Sequence, residues 1–123
     1  MGWSVEEDGL GVLFSRDIPH LVETRMRPVV DRFLAEQGLR MADLDGVVCH
    51  PGGAKVIAAM RRALELDGDA LDAEAEILRR HGNMSAATAL FVLAEKRRRG
   101  DGGLRLMLAL GPGFTLGMGL LEL

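Results

Sequence analysis

The sequence predicts an α/β fold in which a mixed sheet, flanked by helices, closes on a terminal hairpin. Three observations carry that prediction. The run Val47-Val48-Cys49 is apolar throughout and ends in His50-Pro51-Gly52-Gly53, as expected of a strand buried on both faces. Three segments between Lys55 and Arg98 space their apolar residues at helical intervals. Two apolar runs near the carboxyl terminus are separated by Gly111-Pro112-Gly113, which reads as strand, turn, strand.

Taken in order, Trp3 to Val5 reads as a short strand, Glu6-Glu7-Asp8-Gly9 as a turn, and Leu10 to Phe14 as its partner; Asp-Gly is a strong hairpin signal. Asp17 is placed to cap the next helix, with Pro19 in its first turn, where a missing N–H costs little. That helix runs from Pro19 to Gln37. Val22, Met26, Val29, Val30, Phe33 and Leu34 form its apolar face. Pro28 predicts a kink or a split, and Gly38 ends the helix. Met41 to Asp45 is a loop or single turn, and Gly46 to Cys49 is the buried strand. A helix follows from Lys55 to Leu66, with Val56, Ile57, Met60 and Leu64 on one face, and Asp67-Gly68-Asp69 breaks it. Asp72 to His81 is a shorter helix, Ile77 and Leu78 inward, closed by Gly82. Asn83 is placed to cap a helix from Met84 to Arg98. The start of that helix is lined by Ser85, Ala86, Ala87 and Ala89, small enough for close packing. Arg105 to Leu110 and Thr115 to Leu123 form the final hairpin around Gly111-Pro112-Gly113.

Composition narrows the function classes. A chain of 123 residues with 48% hydrophobic content predicts one domain, 1–123, with a real core. Net charge is −3 and the pI about 5.6, which argues against nucleic acid as a partner. A single Cys excludes an internal disulfide and fits a reducing compartment. The start shows no basic, then apolar leader. The most apolar stretch, Leu106 to Leu121, falls short of the ~20 residues of a membrane span and holds Gly111, Pro112, Gly113, Gly117 and Gly119. A cytoplasmic protein with no membrane partner is the expectation.

His50 lies at the carboxyl end of a predicted strand, where ligands collect in open α/β sheets. Its position suits equally a reactive imidazole and a ring bonded to backbone. For Asn83, local sequence favours an N-cap over a reactive amide. Both side chains offer N–H donors, suited to a developing oxyanion or enolate. Cys49 adjoins His50, but consecutive strand residues point to opposite faces, so Cys49 reads as a buried small hydrophobe and not as a nucleophile. Gly111-Pro112-Gly113 matches neither a Walker A loop nor a dinucleotide fingerprint. The run Lys96-Arg97-Arg98-Arg99 reads as a solvated helix end, ahead of a site for the phosphates of a carrier such as coenzyme A. His20 and His81 have no spaced partners that signal a metal site.

Four motifs in order carry a resemblance: Asp-Ile-Pro at 17–19, His-Pro-Gly-Gly at 50–53, Gly-Asn-Met-Ser at 82–85 and Gly-Pro-Gly at 111–113. Together they resemble the C-terminal part of a type III polyketide synthase, the chalcone and stilbene synthase family. The resemblance covers nearly the whole chain. It implies a thiolase-like C-terminal half-domain, incomplete relative to the family, from a homodimeric enzyme whose site joins a Cys, a His and an Asn. It further implies that His50 and Asn83 are the His and the Asn, that Ser85 lines the cavity, and that Gly111, Pro112 and Gly113 form the loop shaping it. The implied reaction is acyl transfer with decarboxylative condensation of malonyl-CoA onto a starter acyl-CoA. No separate cofactor is implied, because the coenzyme A thioesters are substrates. The family's nucleophilic Cys belongs to an N-terminal half and is not matched by Cys49; Ala54 stands where many members carry Pro, and the first strand of the second half is not matched. Without that Cys, the chain is expected to be inactive for extension on its own. It requires the N-terminal half or a homodimer partner. A non-catalytic remnant or docking module that associates with a full-length synthase is the alternative, and a ketoacyl synthase of the same superfamily is a third reading.

Overall fold

The structure, a computed structural model, describes residues 2–13 and 16–123. Strands β1 (Gly2–Glu6) and β2 (Gly9–Leu13) pair antiparallel across the Glu7-Asp8 turn, with Glu6 opposite Gly9. This is the expected hairpin; its predicted last residue, Phe14, lies outside the described residues. A second sheet has the order β3 (Gly46–Cys49), β4 (Leu104–Gly111), β5 (Thr115–Glu122). β3 runs parallel to β4, with Cys49 opposite Leu108, and β4 runs antiparallel to β5. The sheet is therefore mixed, as predicted.

Helices cover both faces of that sheet. Val47, Cys49, Leu106 and Leu108 point into one cluster, built with Val22, Met26, Val30 and Leu34 and with Val56, Ile57, Met60 and Leu64. Val48 and Met107 point the other way, against Ala73, Ile77 and Val92. The alternation along β3 and β4 is the period-2 geometry of a strand with two covered faces. The first cluster draws on α1 (Ile18–Leu21), α2 (Arg27–Glu36) and α3 (Ala54–Ala63), the second on α4 (Asp72–His81) and α5 (Ala87–Arg98).

Four differences from the sequence reading have physical causes. The break tied to Pro28 is a π turn at Val22–Met26, between α1 and α2, with Pro28 in the first turn of α2. Pro28 has no N–H to give and its ring crowds the preceding turn; the wider turn ahead of it takes up the mismatch. Buried positions then recur every four residues, at Val22, Met26, Val30 and Leu34, and Val29 is left exposed. α3 begins one residue early and ends three early, at Ala63, where Glu65 turns to a positive φ of 52°. α5 begins at Ala87 and not at Met84, because Ser85 takes a left-handed φ of 59°. Finally, Lys96 is not part of a solvated helix end: it is buried. The loop reading of Met41 to Asp45 holds, as one 3-10 turn over Met41–Asp43. Among the described residues, no helix is long and apolar enough to cross a membrane.

Candidate active site

The parallel pairing of β3 and β4 sets the location of the site. Parallel strands bring their carboxyl ends to the same edge of the sheet, so His50, just after β3, and Gly111-Pro112-Gly113, just after Leu110 on β4, lie at one end. The backbone N–H of His50 still belongs to the ladder, donating to the Leu108 carbonyl at 2.8 Å. The chain then leaves the sheet, and Gly52 N–H turns back to the His50 carbonyl at 3.1 Å.

His50 is 6% exposed. Burial lowers its pKa from the ordinary value, because a charged imidazolium loses hydration there. At neutral pH the ring is neutral and carries one N–H donor. Among the described residues its Nδ1 has no hydrogen-bond partner.

Asn83 reaches this loop from the other side. Its Nδ2 donates to the Gly52 carbonyl at 3.3 Å, and its Oδ1 accepts the Ser85 N–H at 2.8 Å. A backbone N–H can only donate, so the Ser85 contact fixes which end of the amide is oxygen. The NH2 group therefore faces the His50-Pro51-Gly52-Gly53 segment. One of its hydrogens meets Gly52, and the second remains for another acceptor. The expected N-cap role is thus replaced: the left-handed Ser85 delays the helix, and the Asn83 side chain serves a turn and a neighbouring loop. Met84 N–H, freed from the helix, donates to Thr88 Oγ1 at 2.8 Å.

At the hairpin tip, Gly113 takes φ 68° and Phe114 φ 55°, and Thr115 Oγ1 donates to the Pro112 carbonyl at 2.8 Å. A side chain at Gly113 would be strained in that conformation, which is the local reason for glycine there.

Beneath His50 lies a feature the sequence reading missed. Glu74 of α4 is fully buried and Lys96 of α5 is 2% exposed; their charged groups are 3.1 Å apart. Glu74 Oε1 also accepts the Cys49 N–H at 3.0 Å, and Lys96 Nζ donates to the Ala70 carbonyl at 3.1 Å. Burial pushes the Glu74 carboxyl up, opposed by Lys96 and by the Cys49 N–H. Burial and the Glu74 charge likewise push the Cys49 thiol up, far from thiolate chemistry. Cys49 packs in the cluster opposite Val48, so its side chain diverges from His50. The signal for Lys96 was its register: it lies four residues after Val92 and seven after Ala89, both buried, and so continues the inward stripe of α5.

The two-sided α/β half-domain, a mixed sheet with helices on both faces, is of the thiolase-like fold class. The chain belongs to the chalcone and stilbene synthases, as their C-terminal domain, whose family model matches residues 2–122. A Bacillus subtilis protein that carries the chalcone synthase name is 42% identical over 94% of this chain and 32% of its own length. The 1,3,6,8-tetrahydroxynaphthalene synthase of Streptomyces peucetius is 40% identical over 93% of this chain and 31% of its own. Among solved structures, PKS-I from the brown alga Ectocarpus siliculosus superposes with a TM-score of 0.92 at 22% identity, over 98% of this chain and 34% of that one. The relatives are type III polyketide synthases, and the chain spans about a third of the length of the curated relatives it matches.

Proposed function

We propose that this chain supplies the His–Asn part of a type III polyketide synthase site that decarboxylates malonyl-CoA and joins the product to an acyl thioester. The observation that carries the reading is the Asn83–Gly52 contact, which joins the His50 and Asn83 segments across thirty-one residues of chain. In the proposed step, the thioester carbonyl oxygen of malonyl-CoA lies between the His50 Nε2–H and the Asn83 Nδ2–H. The bond to the carboxylate breaks, carbon dioxide leaves, and its electron pair passes into an enolate whose oxyanion both donors hold. The enolate carbon then attacks an acyl thioester, forming the new carbon–carbon bond and expelling a thiolate. That acyl group is carried by a Cys of the family's N-terminal half, a part this chain does not span. Cys49 does not serve, being buried and held as a thiol. The lowered pKa of His50 supports the step, since a neutral ring is the donor required at neutral pH. Ser85 contributes by orienting the Asn83 amide, and Gly111-Pro112-Gly113 by bounding the cavity at the same end of the sheet. Coenzyme A thioesters are the substrates and no further cofactor takes part.

An apolar surface favours association. Leu90 and Phe91 on α5 are 61% and 45% exposed, and burying such side chains against a partner is favourable. The same surface serves the second reading, a docking module on a full-length synthase. The two are separated by carbon dioxide release from malonyl-CoA, measured for the chain and for His50→Ala and Asn83→Ala, each with and without an N-terminal half carrying the Cys. We expect release that falls about 10²–10³-fold in either variant, the cost of one oxyanion donor. Release indifferent to both variants would overturn the site. A polyketide formed by the chain alone from malonyl-CoA and a starter acyl-CoA would overturn its dependence on the missing Cys.

A further inference from the structure

We propose that Glu74, paired with Lys96 at one buried point that joins β3, α4 and α5, is a positioning residue for His50. The proposal rests on the reading of His50 and Asn83 given above. Each of the two functional segments leaves from an element that the pair holds. His50 follows Cys49, whose N–H ends on Glu74 at 3.0 Å. Asn83 follows α4, which carries Glu74, and precedes α5, which carries Lys96. Lys96 also reaches the Ala70 carbonyl ahead of α4. Three elements thus share one charged junction, and both reactive side chains extend from its perimeter.

The placement is unusual for a device that only adds stability. Glu74 and Lys96 are almost fully buried, and a buried ion pair loses so much hydration that apolar side chains of similar size often serve as well or better. What apolar side chains cannot do is accept the Cys49 N–H. Among the described residues β3 is an edge strand of its sheet, and at Cys49 the Glu74 carboxylate takes the place a neighbouring strand would fill. A directional acceptor there fixes the last residue of the strand before His50, and precise support of this kind is what a reactive side chain needs. Among the described residues Glu74 Oε2 and His50 Nδ1 both lack hydrogen-bond partners.

The test compares two double variants of the full chain, read by the NMR signal of the His50 imidazole and its titration midpoint. Glu74→Gln/Lys96→Met removes both charges but keeps an acceptor for Cys49. Glu74→Leu/Lys96→Met removes the acceptor as well. We expect the first to keep the wild-type signal. In the second we expect a broadened signal, with a midpoint rising toward the ordinary value of about 6.5 as water reaches the ring. A folded Glu74→Leu/Lys96→Met protein with the wild-type signal and midpoint would sink the proposal. If that variant does not fold, Glu74→Gln/Lys96→Met decides: a displaced His50 signal overturns the proposal, and a retained one supports it. Loss of folding in both overturns it, since the pair would then be a stability element. This comparison needs no turnover. If His50→Ala and Asn83→Ala leave carbon dioxide release unchanged, the functional reading fails while the positioning result still stands or falls by itself.

Discussion

The two ends of β3 are held by opposite means. At its amino end, Asp45 and Leu104 exchange two bonds: Asp45 N–H donates to the Leu104 carbonyl and Leu104 N–H donates to Asp45 Oδ2, both at 2.8 Å. Arg105 Nε and Nη2 donate to the Gly102 carbonyl at 3.2 and 3.0 Å, and all these side-chain bonds are exposed. At the carboxyl end the strand stops against a buried carboxylate, a buried ammonium and a buried imidazole. The amino end uses exposed, solvated bonds, which are worth little each and are easily satisfied. The carboxyl end places charge in a low-dielectric setting, where a missing partner is costly. The same four-residue strand is therefore held by exposed bonds at one end and by a buried charged junction at the other.

The largest expected effect comes from breaking the carboxyl end. Glu74→Ala leaves the buried Lys96 without its counter-charge and the Cys49 N–H unpaired; the expected loss is about 3–5 kcal/mol, read as a shift in the urea midpoint at unchanged slope. A loss under about 1 kcal/mol would put this pair with ordinary surface pairs and erase the contrast. At the amino end the effects are smaller. Gly103 has φ 87°, and an added Cβ would collide with the Asp45 carboxylate, so Gly103→Ala is expected to cost about 1–3 kcal/mol. Asp45→Ala removes one exposed bond and is expected to cost about 1 kcal/mol. Both substitutions should leave the His50 NMR signal in place, and a shift there would show that the two ends are coupled.

The smallest effect concerns pH. Burial lowers the His50 pKa in the folded chain, so the unfolded chain takes up the proton first. Stability from this residue is therefore complete above the unfolded value of about 6.5 and declines as pH falls below it, until the folded form also protonates. His50→Gln should flatten the fall in melting temperature between neutral pH and pH 5. An unchanged slope would show that the ring is as well hydrated as an exposed one.

These contrasts also explain what was legible in the sequence. β3 and α4 match their expected bounds residue for residue, and the hairpin around Gly111-Pro112-Gly113 differs by one residue at three of its four strand ends. Apolar runs bounded by glycine or proline report local preference that the fold does not overrule. The Asn83 turn was harder to read, because Asn-Met-Ser has the composition of a helix cap. Only the left-handed Ser85, set by the surrounding packing, sends the amide to Gly52. The Glu74–Lys96 pair was hidden for a different reason. Lys96 begins a run of four basic residues, and its three successors are exposed; Arg98 and Arg99 pair with Glu95. A run of like charges names no face of a helix, whereas register does.

The lone Cys gives the strand a reporter of its own. Cys49 is the single thiol in the chain, fully buried, and its N–H sits on the Glu74 carboxylate next to His50. A thiol-selective reagent has one target and no access to it while β3 stays docked. The rate of labelling thus clocks how often this particular strand end opens, with no residue changed. A ligand or partner that settles over His50 would slow that clock, making the buried sulfur a gauge of occupancy there.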